Sequence, residues 1–133
     1  MAITLDHVHL VVTDIPGTVA WFKDLFGAKE RYLGLEMDSF DGTNQYFLEL
    51  GGTGVFVRGQ TNQETLRPDP GSRYGINHFS LRVPDVYGKI EELRRKGVKV
   101  LLEPEVIDAN TVYAFVQGPD NIGIELIHRK HLQ

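Results

Sequence analysis

A chain of 133 residues is long enough for one compact domain, or for two small modules that share a core. Hydrophobic residues make up 41% and charged residues 24% of the sequence, which excludes a disordered chain. The formal net charge is −4, and the densest basic run, 94–96, falls on a predicted helix, so we expect no nucleic-acid partner.

The sequence contains no cysteine, which excludes disulfides and thiolate ligands. Any bound metal ion must therefore be held by nitrogen and oxygen donors. No apolar stretch is long enough to span a bilayer, and the N-terminus lacks a charged region followed by an apolar one. We therefore expect no membrane association and, by default, a cytoplasmic location.

The first half of the chain begins with a predicted strand at 4–13, which is rich in β-branched and apolar residues. Asp14 is the expected N-cap of a helix, and Gly27 is expected to end that helix. Three further strands are predicted near 29–37, 44–50 and 53–58.

The second half repeats this order after a polar stretch, 59–74, which is predicted to be a linker. A strand is predicted at 75–83, and Asp85 then leads into a helix that Gly97 ends. The last three strands are predicted near 98–103, 111–117 and 122–128. We therefore expect an α+β fold in one domain, 1–133, built from two β-α-β-β-β modules at 1–58 and 75–133.

The two halves also match in particular residues. His7 stands seven positions before Asp14, and His78 stands seven positions before Asp85. Each half further carries a Glu-Leu pair on its last or penultimate strand, at Glu49 and at Glu125. This pattern indicates an internal repeat of the whole module.

The repeated residues His7, Glu49, His78 and Glu125 form the candidate metal-ligand set. Two imidazoles and two carboxylates suit a divalent ion such as Ni, Co, Zn, Mn or Fe. Four protein ligands leave two octahedral positions for a substrate with neighbouring oxygens, whose carbonyl the metal would polarise. Glu49 or Glu125 is the expected catalytic base toward the adjacent carbon.

Each of these four residues also has a structural interpretation. A lone histidine on a strand is more often packed or exposed than a ligand, and either glutamate could point outward from an edge strand. Glu49 and Glu125 lie among apolar residues, where an unpaired carboxylate is costly, so a metal or a hydrogen-bonded partner is favoured. Their occurrence at matched positions of two repeats favours the metal.

Three further histidines lie outside this set. His9 is predicted to share a strand face with His7, because alternate residues of a strand point the same way. Its counterpart in the second half is Ser80, so His9 is interpreted either as a substrate-binding residue or as a hydrogen-bonded residue of the site wall. His128 and His131, near the C-terminus, are expected to be exposed.

Three stretches of the chain resemble the vicinal oxygen chelate (VOC) superfamily: LDHVHLVVTDI at 5–15, YGINHFSLRVPDV at 74–86 and VYAFVQGPDNIGIELI at 112–127. That superfamily includes glyoxalase I, methylmalonyl-CoA epimerase, extradiol dioxygenases, fosfomycin-modifying enzymes and bleomycin-binding proteins. The resemblance implies paired β-α-β-β-β modules whose strands curl around a metal ion. The ligand positions that it implies are His7, Glu49, His78 and Glu125, a set similar to that of short bacterial glyoxalase I enzymes.

The resemblance also has departures that bear on the substrate. Glyoxalase I typically carries an arginine four residues after its first ligand and an asparagine four after its second, both contacting glutathione. This chain has Val11 and Thr53 there, and a valine cannot clamp a carboxylate. Epimerases usually carry glutamine at the position of Glu49, and extradiol dioxygenases use only two histidines and one glutamate.

Together with the candidate ligand set, the resemblance implies a metal-dependent lyase, isomerase or epimerase of the glyoxalase type. Its small-molecule substrate is expected to differ from the standard glutathione adduct. An Fe(II) extradiol-type dioxygenase and a non-catalytic drug- or metabolite-binding protein are the alternatives. The resemblance also implies a homodimer.

Overall fold

The computed structural model of the chain describes residues 2–31, 36–40, 43–61, 63–66 and 74–132. The chain divides into two compact units, Met1–Thr65 (unit 1) and Leu66–Gln133 (unit 2). Much of the predicted linker, residues 62 and 67–73, lies outside the described residues. Neither helix of the described part is long and apolar enough to cross a membrane.

Unit 1 contains one helix and a five-stranded sheet. Its elements in chain order are β1 (His7–Val12), α1 (Ile15–Phe26), β2 (Lys29–Glu30), β3 (Glu36–Phe40), β4 (Thr43–Leu50) and β5 (Thr53–Gly59). The strand order is β1-β5-β4-β2, and β3 pairs with β4 as well. Strand β1 runs parallel to β5, and the other pairs are antiparallel. The predicted strand at 29–37 includes β2 and the start of β3, and residues 32–35 lie outside the described part.

Helix α1 begins and ends where local chemistry predicts. The side chain of Asp14 accepts a hydrogen bond from the backbone N–H of Gly17 at 2.9 Å, which satisfies one of the unpaired donors of the first turn. Pro16 is tolerated in that first turn. Gly27 ends the helix in the left-handed conformation, with φ at 68°.

The sheet of unit 1 has one covered face and one open face. Helix α1 contacts β4 and β5, and its Phe22 is completely buried together with Leu48 and Val57 of those strands. Burying an apolar side chain of this size stabilises a fold by roughly 1.5–3 kcal/mol. Because strand side chains alternate, the neighbours of these buried residues point to the opposite face. We call that opposite face, which carries His7, His9 and Phe56, the open face of unit 1.

Unit 2 repeats this arrangement with four strands. Its elements are β6 (Phe79–Arg82), α2 (Val86–Arg95), β7 (Val100–Asp108), β8 (Thr111–Gln117) and β9 (Gly123–Arg129), with short 3-10 turns at Pro119–Asn121 and Lys130–Leu132. The strand order is β6-β9-β8-β7; the β6–β9 pair is parallel, and the β9–β8 and β8–β7 pairs are antiparallel. Its core includes the fully buried side chains of Ile90, Leu93, Ile124 and Leu126. The predicted α+β fold of β-α-β-β-β modules is confirmed.

Some boundaries differ from those predicted. The first strand of unit 2 covers Phe79–Arg82, so His78 precedes it rather than lying on it. Strand β7 reaches Asp108, five residues beyond its predicted end. The expectation that His128 is exposed is wrong: it lies on β9 and is half-buried, with Nδ1 3.2 Å from the carbonyl oxygen of Val83. His131 is exposed, as expected.

Candidate functional site

The open face of unit 1 brings His7, His9 and Phe56 together. The His7 and Phe56 rings are stacked, with centroids 4.0 Å apart and an interplanar angle of 18°. The His9 ring lies edge-on to both, at 6.0 Å from each. The prediction that His7 and His9 share a strand face is therefore confirmed.

Charge and burial around His9 favour its neutral form. Partial desolvation of the imidazole lowers the pKa of His9 below its ordinary value, and the nearby charge of Arg58 lowers it further. A neutral imidazole has one nitrogen that accepts a hydrogen bond and one that donates. His9 can therefore take either role toward a polar group on the open face.

The orientation of His7 is set by the residue before it. Its Nδ1 lies 2.7 Å from Oδ2 of Asp6. An ionised carboxylate only accepts hydrogen bonds, so the hydrogen of the neutral imidazole is on Nδ1 and the lone pair is on Nε2. The hydrogen bond from His7 also lowers the pKa of Asp6, with the charge of Arg31 adding to the effect. This carboxylate–imidazole pair is the arrangement that metal-binding histidines show in proteins.

The carboxylate of Glu49 faces a guanidinium. Its Oε2 lies 4.0 Å from Nε of Arg31, whose side chain is only 15% exposed. Arg31 lies directly after β2, within the predicted strand at 29–37, and its place in that stretch carried no sequence signal for a role in the site. A carboxylate in apolar surroundings needs a partner, and for Glu49 this partner is Arg31.

Gly54 makes the room for this guanidinium. Gly54 pairs with His7 of β1 on one side and with Glu49 of β4 on the other. The three residues therefore form one row across the sheet, with Gly54 in the middle. A Cβ atom added at Gly54 would lie 2.7 Å from Cβ of His7 and 3.1 Å from Cζ of Arg31. The guanidinium of Arg31 thus lies next to Gly54, in space that a larger side chain at this position would restrict.

Unit 2 places a histidine and a carboxylate side by side. Nε2 of His78 lies 3.7 Å from Oε1 of Glu125, and their side chains are 30% and 16% exposed. Two donors that each bind one ion at 2.0–2.2 Å can be at most about 4.4 Å apart, so this pair fits as two ligands of one ion. The ring of Phe115 packs edge-on against His78, at 4.7 Å between centroids.

His78 is oriented in the same way as His7. Its Nδ1 lies 2.7 Å from Oδ1 of the preceding residue, Asn77, so the amide oxygen accepts and the lone pair is again on Nε2. The pairs Asp6–His7 and Asn77–His78 hold equivalent positions in the two units. The repeat therefore includes the residue that orients each histidine.

The strand registers show that the two glutamates are not equivalent. Ser80, the counterpart of His9, pairs with Glu125 across the β6–β9 ladder. His9 itself pairs with Phe56 across the β1–β5 ladder. Phe56 is therefore the counterpart of Glu125, and the expectation that Glu49 and Glu125 occupy matched positions is wrong.

Glu49 has a different counterpart. It pairs with Gly54 across the β4–β5 ladder, as Gln117 pairs with Gly123 across the β8–β9 ladder. The position of Glu49 thus carries an amide in unit 2. Within either unit, the described residues hold no group of three or more histidine, aspartate or glutamate side chains that could bind a metal ion by itself.

Comparison with known families decides what this repeated module is. The family model of the Glyoxalase/Bleomycin resistance protein/Dioxygenase superfamily matches residues 4–126. The chain belongs to this superfamily. The match covers both units, so the resemblance seen in the sequence is confirmed.

The curated relatives that this chain resembles are named lactoylglutathione lyases. A lactoylglutathione lyase of Arabidopsis thaliana is 29% identical, over 92% of this chain and 43% of that protein. A lactoylglutathione lyase of Haemophilus influenzae is 28% identical, over 93% of this chain and 91% of that protein. A lactoylglutathione lyase of Neisseria meningitidis serogroup A is 39% identical, over 52% of this chain and 49% of that protein. The chain thus matches less than half the length of several of these relatives.

Solved structures of the superfamily share the fold. Glyoxalase I from Zea mays matches with a TM-score of 0.74 and 29% identity, over 94% of this chain and 44% of that one. A glyoxylase/bleomycin resistance protein/dioxygenase domain from Frankia matches with a TM-score of 0.78 and 22% identity, over 97% and 99% of the two chains. The fosfomycin resistance protein FosX from Listeria monocytogenes also matches, with a TM-score of 0.74 and 22% identity, over 97% and 94%. The last two likenesses bear on the fold alone.

Proposed function

We propose that this superfamily member is a metal-dependent lyase or isomerase of the glyoxalase type, which moves a proton next to a carbonyl group. The observation that carries the proposal is the pair of His78 and Glu125, whose donor atoms lie 3.7 Å apart. The names of the relatives, lactoylglutathione lyases, support the lyase class. We do not propose the glutathione adduct itself as the substrate, because position 11 carries a valine, which cannot clamp a carboxylate as an arginine does.

The proposed ligands are His7 in unit 1 and His78 with Glu125 in unit 2. Both histidines have the lone pair on Nε2, because Nδ1 donates to the preceding side chain. Glu49 is left out of the ligand set, although the sequence alone suggested it. Its carboxylate faces Arg31, and the strand registers give Phe56, not Glu49, the place that Glu125 holds in unit 2.

The proposed base is Glu125. A divalent ion held by His78 and Glu125 would polarise the substrate carbonyl and acidify the neighbouring C–H. The carboxylate of Glu125 then accepts the proton, provided that the carbon lies within hydrogen-bond reach. His9, neutral on the open face of unit 1, is the proposed contact to a polar group of the substrate.

Metal content tests the ligand assignment. The protein is stripped with a chelator and reloaded separately with Ni, Co, Zn, Mn and Fe(II), and the bound metal is measured by plasma mass spectrometry. We expect one equivalent per chain in the wild type and a large loss in His78→Ala. The exposed His131 provides the matched control, because His131→Ala should keep the full equivalent. Full metal retention in His78→Ala would show that the assignment is wrong.

Activity then tests the reaction class. Thiol adducts of 2-oxoaldehydes and acyl-CoA thioesters are the substrates to screen, since both carry a carbonyl beside an acidic C–H. Exchange of that hydrogen with deuterium from the solvent reports proton transfer even where turnover is slow. A metal-loaded protein that neither converts nor exchanges any of them contradicts the proposal.

A second candidate function is an Fe(II) ring-cleaving dioxygenase. Phe56 holds in unit 1 the position that Glu125 holds in unit 2, and Glu49 faces Arg31. The remaining candidate ligands are therefore two histidines and one glutamate. Two histidines and one carboxylate make up the ligand set of non-haem Fe(II) oxygenases. Oxygen uptake with a catechol, measured on the Fe(II)-loaded protein, separates this candidate from the lyase.

A further inference from the structure

We propose that Arg31 is a positioning residue for His7 and acts through Asp6. It holds the Asp6 carboxylate in place, and Asp6 in turn keeps the hydrogen of the His7 imidazole on Nδ1. The consequence for metal binding rests on the proposed function. The effect on the His7 ring itself is independent of any metal.

The contacts of Arg31 converge on the segment that carries His7. Its Nη1 lies 3.3 Å and 3.4 Å from the two carboxylate oxygens of Asp6. Its Nη2 donates to the backbone carbonyl of Asp6 and to that of Gly52, each at 3.2 Å. One guanidinium therefore binds both the side chain and the backbone of the residue before His7.

Arg31 is itself held from two further sides. Its Cζ lies 5.4 Å from the centroid of the Phe56 ring, within the range of a cation–π contact. Its Nε lies 4.0 Å from the Glu49 carboxylate. With a side chain only 15% exposed, the guanidinium is much less free to move than a surface arginine.

The Asp6 side chain needs such a partner. It is 74% exposed, so without Arg31 it would sample several rotamers and lose its hold on the imidazole. The backbone of Asp6 is fixed separately, because its carbonyl also accepts from the N–H of Gly54 at 2.7 Å. The specific contribution of Arg31 is therefore to the Asp6 carboxylate, and through it to the ring of His7.

The tautomer of His7 is the direct test. Long-range ¹H–¹⁵N correlation spectra of the metal-free protein, near pH 8, distinguish a hydrogen on Nδ1 from one on Nε2, and His7→Gln assigns the signal. We expect the Nδ1–H form in the wild type and a shift toward Nε2–H in Arg31→Met. In the same spectra the His78 signal should not change, because Asn77 orients that ring.

Two further variants keep the test decisive. Asp6→Ala removes the acceptor with Arg31 left in place and should shift the tautomer as Arg31→Met does, whereas Asp6→Asn keeps an acceptor oxygen, like Asn77, and should largely preserve it. Arg58→Met is the matched control, because Arg58 is equally enclosed in unit 1 but binds Glu64 rather than Asp6. An unchanged His7 tautomer in both Arg31→Met and Asp6→Ala would overturn the proposal.

Metal affinity provides the second measurement. Loss of a side chain that orients a ligand typically lowers affinity ~10–100-fold, and we expect this range for Arg31→Met and no change for Arg58→Met. If the wild type binds no metal although the tautomer responds, the proposed function fails and the role of Arg31 remains. If the wild type binds metal and the tautomer does not respond, the role of Arg31 fails alone.

Discussion

Oε1 of Glu125 lies 3.7 Å from Nε2 of His78, and the strand registers give Phe56 the place of that glutamate in unit 1. One unit thus presents a carboxylate beside its histidine, and the other stacks an aromatic ring on its histidine. This asymmetry reduces the proposed ligand set from four residues to three. It also makes Glu125 the residue on which the proposed chemistry depends.

Glu125→Gln should abolish most turnover while Glu49→Gln should not. Loss of a general base typically costs ~10²–10⁴ in rate, and glutamine can still bind a metal through its amide oxygen. Glu49 lies 4.0 Å from Arg31 and is neither a proposed ligand nor the proposed base, so its replacement should change the rate only a few-fold. Rates on the substrate found in the screen, with metal content measured in parallel, compare the two variants. Equal losses would return Glu49 to the role of base that the sequence alone suggested.

Gly54→Ala should destabilise unit 1 and weaken metal binding together. The added Cβ would lie 2.7 Å from Cβ of His7 and 2.8 Å from an atom of the Phe56 ring, so the packed strands must shift. Overpacking of this kind costs about 1–3 kcal/mol, measurable as a lower free energy of unfolding in urea.

Gly27→Ala is the control for Gly54→Ala. At Gly27 φ is 68°, and an added Cβ would meet no atom of the described residues within 4 Å, so we expect backbone strain to be the cause of any destabilisation. Strain of that kind costs about 1–2 kcal/mol. Metal binding should be unchanged in Gly27→Ala, and a loss equal to that of Gly54→Ala would contradict the steric explanation.

The Arg58–Glu64 ion pair should make stability depend on pH. Both guanidinium nitrogens of Arg58 bind Glu64, at 2.9 Å and 2.7 Å, and with the backbone N–H of Thr61 they lower the pKa of Glu64 to about 2. A carboxyl group whose pKa is lower in the folded state stabilises the fold above its ordinary pKa, and this contribution is lost as the pH falls toward 2.

Thermal melts of Glu64→Gln test this dependence. The variant should melt below the wild type at pH 7, and the gap should close between pH 4.5 and about 2. Asp24→Asn, at an exposed position of the same unit, should show no such closing gap. A gap for Glu64→Gln that is constant with pH would show that the ion pair contributes nothing.

The homodimer implied by the family resemblance stays a prediction. Light scattering at micromolar concentration should give twice the mass of the chain. A monomer that still holds a full equivalent of metal would contradict the homodimer and leave the ligand proposal intact.

Local chemistry was enough to predict much of this fold from the sequence. Asp14 and Asp85 cap their helices through bonds to residues three positions away, so the start of each helix depends only on neighbours in the chain. The alternation of β1 likewise put His7 and His9 on one face without further information. The seven-residue spacing of each histidine from its cap revealed the repeat for the same reason.

Strand register and long-range ion pairs were decided only by the tertiary structure. Glu49 and Glu125 look alike in sequence because both precede a leucine, but the ladders place them at different points of the module. A register depends on which strands pair and where, and a shift of one residue sends every side chain to the other face. Arg31 and Asp6 are 25 residues apart in the chain, so only the folded sheet brings the guanidinium to the segment that holds His7.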